Sequence, residues 1–164
     1  MVNSSDTLRE RAWAAAAQVV DPEIPVLSIA DLGVLREVRV AGDTVEVVIT
    51  PTYSGCPAMR MIELELEAAL RAAGIENLRI STVLAPAWTT DWLSDEGRRK
   101  LLAYGIAPPA GQASRRALFG REKVACPRCG SVDTERLAEF GSTSCKSLHR
   151  CRACAEPFDY FKCH

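Results

Sequence analysis

The sequence predicts an α+β protein: a small mixed sheet of three to four strands with helices packed on it, followed by a zinc-ribbon-like module at the C-terminal end. Three observations predict it. Two β-rich runs, 34–40 and 45–50, flank the short turn Ala41-Gly42-Asp43-Thr44. A strongly striped helix over 57–73 is followed by a third alternating run from Leu78 to Leu84. Two C-x-x-C pairs then stand near the end of the chain.

Residues 8–20 read as an amphipathic helix, capped by Asp6 or Thr7, with Leu8, Ala12, Ala15 or Ala16, and Val19 at helical spacing. It is expected to end before Asp21-Pro22. From there to Gly33, Pro22 and Pro25 exclude regular structure, while Ile24, Val26, Leu27, Ile29 and Leu32 make this a packed loop. The runs 34–40 and 45–50 read as an antiparallel hairpin, with Val45, Val47 and Ile49 on one face. In the helix over 57–73, Pro57 suits the first turn, Ile62, Leu66, Ala69 and Ala73 face inward, and Gly74 stops it. The strand from Leu78 returns beside the sheet through a βαβ crossover and ends at Pro86. A short helix from about residue 91 to 104 completes a first domain, 1–104. Residues 105–123, with adjacent prolines, glycines and four basic residues, read as a linker, and 124–164 as the metal-binding domain.

Composition narrows the function. With 20 basic and 21 acidic residues no global positive field favours nucleic acid or an anionic membrane. The polar start lacks a signal-type apolar region, and no stretch approaches the roughly 18 apolar residues of a membrane helix, so the cytoplasm is expected. Seven cysteines, four of them in C-x-x-C pairs, suit thiolate ligands in a reducing compartment better than a disulfide framework.

The strongest chemistry lies in Cys126-Pro-Arg-Cys129-Gly130 and Cys151-Arg-Ala-Cys154, separated by 21 residues. Two residues between thiolates let one tight turn present both sulfurs, and two such turns complete a tetrahedron. Structural zinc is the expected occupant, with rubredoxin-like iron or an iron-sulfur centre as the alternative, because thiolates alone do not distinguish them. Cys145, Cys163, His149 and His164 are additional candidate ligands, although a packing role suits each better. Phe140, Phe158, Tyr160 and Phe161 suit a small core around the metal rather than base stacking, and the nearby arginines suit solvation rather than nucleic-acid binding.

Cys56, in Thr52-Tyr-Ser-Gly-Cys56-Pro57, falls where a strand hands over to the best helix. The amides and dipole at a helix start favour a thiolate there, whereas a small apolar residue buried at a turn is the structural alternative. Asp21, Glu23 and Asp31 lie in the proline-bearing loop expected at the same end of the sheet. One soft thiolate near hard carboxylates makes an incomplete ligand set, suited to holding iron or a cluster transiently, and open to completion by a second copy in a homodimer. No nucleophile-base pair, phosphate loop or dinucleotide fingerprint is present, so no residue is assigned a catalytic role.

Asp21-Pro22-Glu23 with Ile29-Ala-Asp31-Leu32-Gly33, followed by Thr50-Pro-Thr-Tyr-Ser-Gly-Cys56-Pro57, resembles the small α+β family associated with iron-sulfur cluster assembly. Ala87-Trp-Thr-Thr-Asp-Trp92, Gly105-Ile-Ala-Pro-Pro109, Phe140-Gly-Ser-Thr-Ser-Cys145-Lys and Glu156-Pro-Phe-Asp-Tyr-Phe-Lys-Cys163 extend the resemblance over nearly the whole chain. They are similar to the accessory subunit family of bacterial ring-1,2-phenylacetyl-CoA epoxidase systems. The resemblance implies an accessory protein of aerobic phenylacetate breakdown that matures or inserts an iron-sulfur centre, with the other epoxidase subunits, above all the reductase component, as partners. It implies Cys56 as the iron or cluster ligand, Asp21, Glu23 and Asp31 as its loop neighbours, and the four knuckle cysteines as the zinc site. A purely structural adaptor is the alternative.

Overall fold

The computed structural model describes residues 4–109 and 123–162. Its contacts divide the chain into two compact units, Met1–Trp88 and Thr89–His164. Among the described residues no helix is long and apolar enough to cross a membrane.

In the first unit, helix α1 spans Ser4–Ala16 and buries Ala12 and Ala16 completely. It starts and ends about a turn earlier than the pattern over 8–20 suggests. Val19 and Val20 are drawn out of the helix: Val19 O accepts from Ile29 N, and Val20 bridges Ser28. The residue before Pro22 also disfavours helical dihedrals. The loop that follows is packed, as expected, with Ile24, Leu27, Ile29 and Leu32 all buried.

Strands β1 (Leu35–Ala41) and β2 (Thr44–Ile49) form the antiparallel hairpin. Helix α2 (Ala58–Ala72) crosses back so that β3 (Leu78–Thr82) lies parallel to β2, giving the mixed order β1-β2-β3. Burial explains the choice of elements. Val45, Val47 and Ile49 on β2 and Ile62, Leu66 and Leu70 on α2 are almost fully enclosed, matching periods of two and 3.6 respectively. Trp88 closes the unit: it is buried, and its indole Nε1 donates to Leu32 O at 2.8 Å.

In the second unit, Thr90–Trp92 form a 3-10 turn and helix α3 begins only at Asp95, running to Tyr104. Ser94 imposes that start, because its Oγ accepts from Gly97 N at 2.9 Å as an N-cap. Gly105, at φ 88°, ends the helix in the left-handed region. Strand β4, Ile106–Ala107, pairs in parallel with β7 (Pro157–Phe161), which is antiparallel to β6 (Lys146–Cys151), itself paired with β5 (Thr134–Ala138). The sheet order is β4-β7-β6-β5. Residues 106–107 are therefore strand rather than linker, since apolar Ile106 and Ala107 are buried against this sheet. The prolines that give the segment its linker-like composition stand just after them, and residues 110–122 lie outside the described residues.

Candidate metal centre

The two C-x-x-C turns have the same backbone construction. Cys126 N donates to Ser131 O and Cys151 N to Glu156 O, both at 2.9 Å, so each turn closes over five residues. Each turn needs a left-handed residue just after its second cysteine. Gly130 supplies it in the first knuckle at φ 75°, and Ala155 in the second at φ 62°. Strand pairing sets the turns face to face: Thr134 stands opposite Cys151, Thr134 Oγ1 donates to Val124 O, and Arg152 N donates to Asp133 O. At the rim, Arg128 pairs with Glu156 at 2.7 Å and joins one knuckle to the other.

The four sulfurs of Cys126, Cys129, Cys151 and Cys154 all lie within 4.8 Å of one another. Cys126 Sγ is 3.8 Å from Cys154 Sγ, and Cys129 Sγ is 3.5 Å from Cys151 Sγ. A tetrahedral zinc with Zn–S near 2.3 Å requires sulfurs about 3.8 Å apart, so the set fits the ion as it stands. Cys126 and Cys151 are buried, while Cys129 and Cys154 are exposed, which seats the site at the surface with an apolar floor of Ala107, Val124, Phe158 and Tyr160.

The thiols are held unequally. Amides of Cys154 and Ala153 donate to Cys151 and bring it down to about 7, with the sulfur of Cys129 assisting against burial. For Cys154 the amide of Glu156 pulls downward, but burial and the other three sulfurs outweigh it and push it up to about 12. This is the electrostatics of four sulfurs sharing too little positive charge, and a divalent cation relieves it.

The other tail candidates lie elsewhere. His149 is buried on β6, stacked on Phe158 with centroids 5.7 Å apart and edge-on to Tyr160, and its Nε2 lies 3.0 Å from Ser147 Oγ. Burial, with the charge of Arg136, lowers its pKa and keeps it a neutral core ring. Cys145 stands at the opposite end of β6 from Cys151, about 20 Å away at 3.3 Å per residue, with its sulfur 3.0 Å from Thr143 Oγ1. Neither joins the cluster. Cys163 and His164 lie outside the described residues.

In the first unit, Cys56 is half-buried immediately before the N-cap Pro57 of α2. The expected depression of its pKa does not occur. Burial pushes the thiol up, and the charges of Glu23 and Asp21 add to that, against the amide of Ala58 and the hydroxyl of Thr52, which donate toward the sulfur. The helix start does act, but desolvation is larger. Of the three loop carboxylates, Glu23 and Asp21 act on Cys56 through their charge. Asp21 is also structural, its Oδ1 accepting from Glu23 N and Ile24 N, both at 2.8 Å. Asp31 is engaged with Ser28, accepting from its amide while Ser28 Oγ accepts from Asp31 N. Sequence reasoning does not reach Thr52 and Ala58 as partners of the sulfur, although a hydroxyl four residues before a cysteine at a helix start is a usable signal.

Comparison with known proteins agrees with this division. The family profile described as "Iron-sulfur cluster assembly protein" matches residues 9–81, and that described as "PaaD zinc beta ribbon domain" matches residues 110–162. An Escherichia coli (strain K12) protein provisionally named as a 1,2-phenylacetyl-CoA epoxidase subunit is 48% identical over 92% of this chain and 90% of its own length. The Fe-S protein maturation auxiliary factor YitW of Bacillus subtilis (strain 168) is 33% identical over 62% of this chain and 97% of its own. A crystal structure of the domain of unknown function DUF59 from Bacillus anthracis aligns with TM-score 0.56 at 22% identity, covering 60% of this chain and 94% of that one, and shares its fold. Identity of this extent across nine-tenths of both chains establishes that the chain belongs to the PaaD family of 1,2-phenylacetyl-CoA epoxidase subunits, with an iron-sulfur cluster assembly domain ahead of a zinc β-ribbon.

Proposed function

We propose that this chain is a cytoplasmic accessory protein of a phenylacetyl-CoA ring-1,2-epoxidase system, one that matures or inserts an iron-sulfur centre of the reductase component. In this reading Cys56 handles iron or a cluster, and the ribbon on Cys126, Cys129, Cys151 and Cys154 holds a structural zinc and docks the client. The observation that carries it is the Cys56 corner: a half-buried thiol on which Glu23 and Asp21 act, within the region matching the cluster-assembly profile. Burial is the largest cause of the upward shift of Cys56, which disfavours a free nucleophilic thiolate, and the charges of Glu23 and Asp21 that add to it join hard carboxylates to one soft sulfur, a donor mixture suited to holding iron transiently. The proposal adds no catalytic residue.

Two other readings differ in their support. In a structural adaptor Cys56 is inert, and the same upward shift keeps it a neutral thiol at pH 7. Nucleic-acid binding by the ribbon is disfavoured by charge. Arg128 pairs with Glu156, Arg136 with Glu139, and Arg150 and Arg152 with Glu135, so the basic face carries its own counterions.

The deciding experiment is anaerobic expression of wild type and Cys56→Ala, with zinc, iron and acid-labile sulfide measured per chain alongside maturation of the reductase. The expected result is about one zinc in both, as for a single four-thiolate site, with iron, sulfide and client maturation only in wild type. Zinc alone in both, after reconstitution with iron and sulfide and with maturation unchanged, selects the adaptor.

A further inference from the structure

We propose that the four-sulfur cluster is a redox-modification site as well as a metal site: hydroperoxides oxidise its exposed sulfurs, and disulfides that span the two knuckles then take the place of the ion. Each knuckle contributes one buried sulfur, Cys126 at 2% exposure or Cys151 at 0%, and one exposed sulfur, Cys129 or Cys154. A small oxidant therefore meets Cys129 and Cys154 first. A thiol that coordinates metal is already deprotonated, and thiolate character together with exposure sets susceptibility to oxidation. Cys145 and Cys56 each lack one of these: Cys145 is buried, and Cys56 is half-buried with its proton held on.

The geometry also supplies the sulfur that completes each bridge. Cys129 Sγ lies 3.5 Å from Cys151 Sγ, and Cys154 Sγ lies 3.8 Å from Cys126 Sγ, so each exposed sulfur faces the buried sulfur of the opposite knuckle. Closing either pair to the S–S length of about 2.05 Å asks for a movement of less than about 2 Å. The frame around the sulfurs keeps them within that reach. Thr134 stands opposite Cys151, Arg152 N donates to Asp133 O at 2.9 Å, and Arg128 pairs with Glu156 at 2.7 Å.

The chemistry needs only the peroxide. The exposed thiolate attacks one peroxide oxygen, the O–O bond breaks, the sulfur gives up two electrons to become a sulfenic acid, and hydroxide leaves. The facing thiolate then attacks the sulfenic sulfur, the S–O bond breaks, a second hydroxide leaves, and the S–S bond forms. Each bridge consumes one peroxide, and both hydroxides take protons from solvent to become water. Thiolates are the metal ligands, so bridging both pairs leaves none to hold zinc. A dithiol reductant restores all four by exchange.

Oxidation and chelation then lead to different ends. Both empty the site, but the two bridges join residues 22 and 28 positions apart and keep the knuckles linked as the ion does. Disulfides in a reducing compartment are transient and suited to sensing, which is the use this arrangement fits. The switch rests on the ribbon holding metal and goes beyond the role given to Cys56.

Titrating the zinc-loaded full chain with hydrogen peroxide tests it, with zinc release, trapping by dimedone and the bridged peptides followed together. Trypsin cuts after Arg128 and Arg152, so the four cysteines fall on separate peptides and mass spectrometry without reduction reads each pairing. Expected are zinc release in step with peroxide, bridges Cys129–Cys151 and Cys126–Cys154, and zinc rebinding after dithiothreitol. Early dimedone labelling should be about tenfold higher at Cys129 and Cys154 than at the buried pair. Amide protection along β5, β6 and β7 should survive oxidation and be lost when the reduced protein is chelated. Zinc retained while other cysteines oxidise, bridges confined within each C-x-x-C turn, or protection lost on oxidation as fully as on chelation overturns the proposal. A protein that binds no zinc before peroxide is added overturns the metal reading of the ribbon and the switch with it. Neither result bears on the metal analysis of Cys56→Ala.

Discussion

Cys56 shows how competing local fields decide the state of one atom. The start of α2 offers the sulfur an amide donor, which alone favours thiolate, yet burial and the carboxylates of Glu23 and Asp21 win, and the thiol keeps its proton at neutral pH. Since only the thiolate is alkylated, iodoacetamide should modify Cys56 in folded, zinc-loaded protein more slowly at pH 8 than in the urea-unfolded chain. The rise of its rate with pH should also be displaced upward. Removing one raising charge moves the group the other way, so Glu23→Gln should lower the pKa and speed modification of the Cys56 peptide, followed by mass spectrometry. A rate that falls or stays fixed in Glu23→Gln would show that this carboxylate does not act on the sulfur. The sign for stability follows the same shift. Because the folded pKa is raised, the contribution of the neutral thiol is present below the unfolded thiol pKa and is lost as pH rises through the folded one.

At the scale of elements the two knuckles are a paired comparison made by the chain itself. Each closes with the same bond across five residues, but Gly130 fills the left-handed position in one and Ala155 in the other. A Cβ in that region costs about 1–2 kcal/mol, and a glycine costs about 0.5–1 kcal/mol more chain entropy on folding. Ala155→Gly should therefore stabilise the second knuckle by about 0.5 kcal/mol, read as a higher denaturant midpoint of the zinc-loaded protein. A loss of stability would mean that the alanine is not strained. The knuckles also mark how far the sequence can be read. The C-x-x-C spacing makes the four-sulfur cluster legible, and period alone makes β1, β2 and α2 legible, because each rests on residues close together in the chain. The strand Ile106–Ala107 is not legible, since its only warrant is a partner more than fifty residues later, Asp159–Tyr160. The protonation of Cys56 escapes the sequence for the same reason: the helix start is local, but the burial and the loop charges that overrule it arrive with the tertiary fold.

The whole molecule combines two units that hold together by different means. The first encloses a continuous apolar core, with Leu27, Ile29, Val45, Ile49, Ile62, Leu66 and Leu70 fully or almost fully buried, and its one cysteine lies outside that core. In the second, the cluster beneath the knuckles comprises Ala107, Val124, Cys126, Cys151, Phe158 and Tyr160, so two of its members are themselves proposed ligands. A core this small leaves little surplus over chain entropy, while structural zinc contributes on the order of 10–16 kcal/mol in small modules. Removing zinc with a strong chelator should accordingly unfold the second unit and leave the first standing. Amide hydrogen exchange separates the two: protection should disappear along β5, β6 and β7 and persist along β2 and α2. Lower pH should make the release easier, because protons and zinc compete for the same sulfurs. Equal loss of protection in both units would mean that the ribbon's metal supports the cluster-assembly unit as well. Full protection everywhere would mean that the thiol cluster packs without an ion, and the four cysteines would then be structural in the ordinary apolar sense.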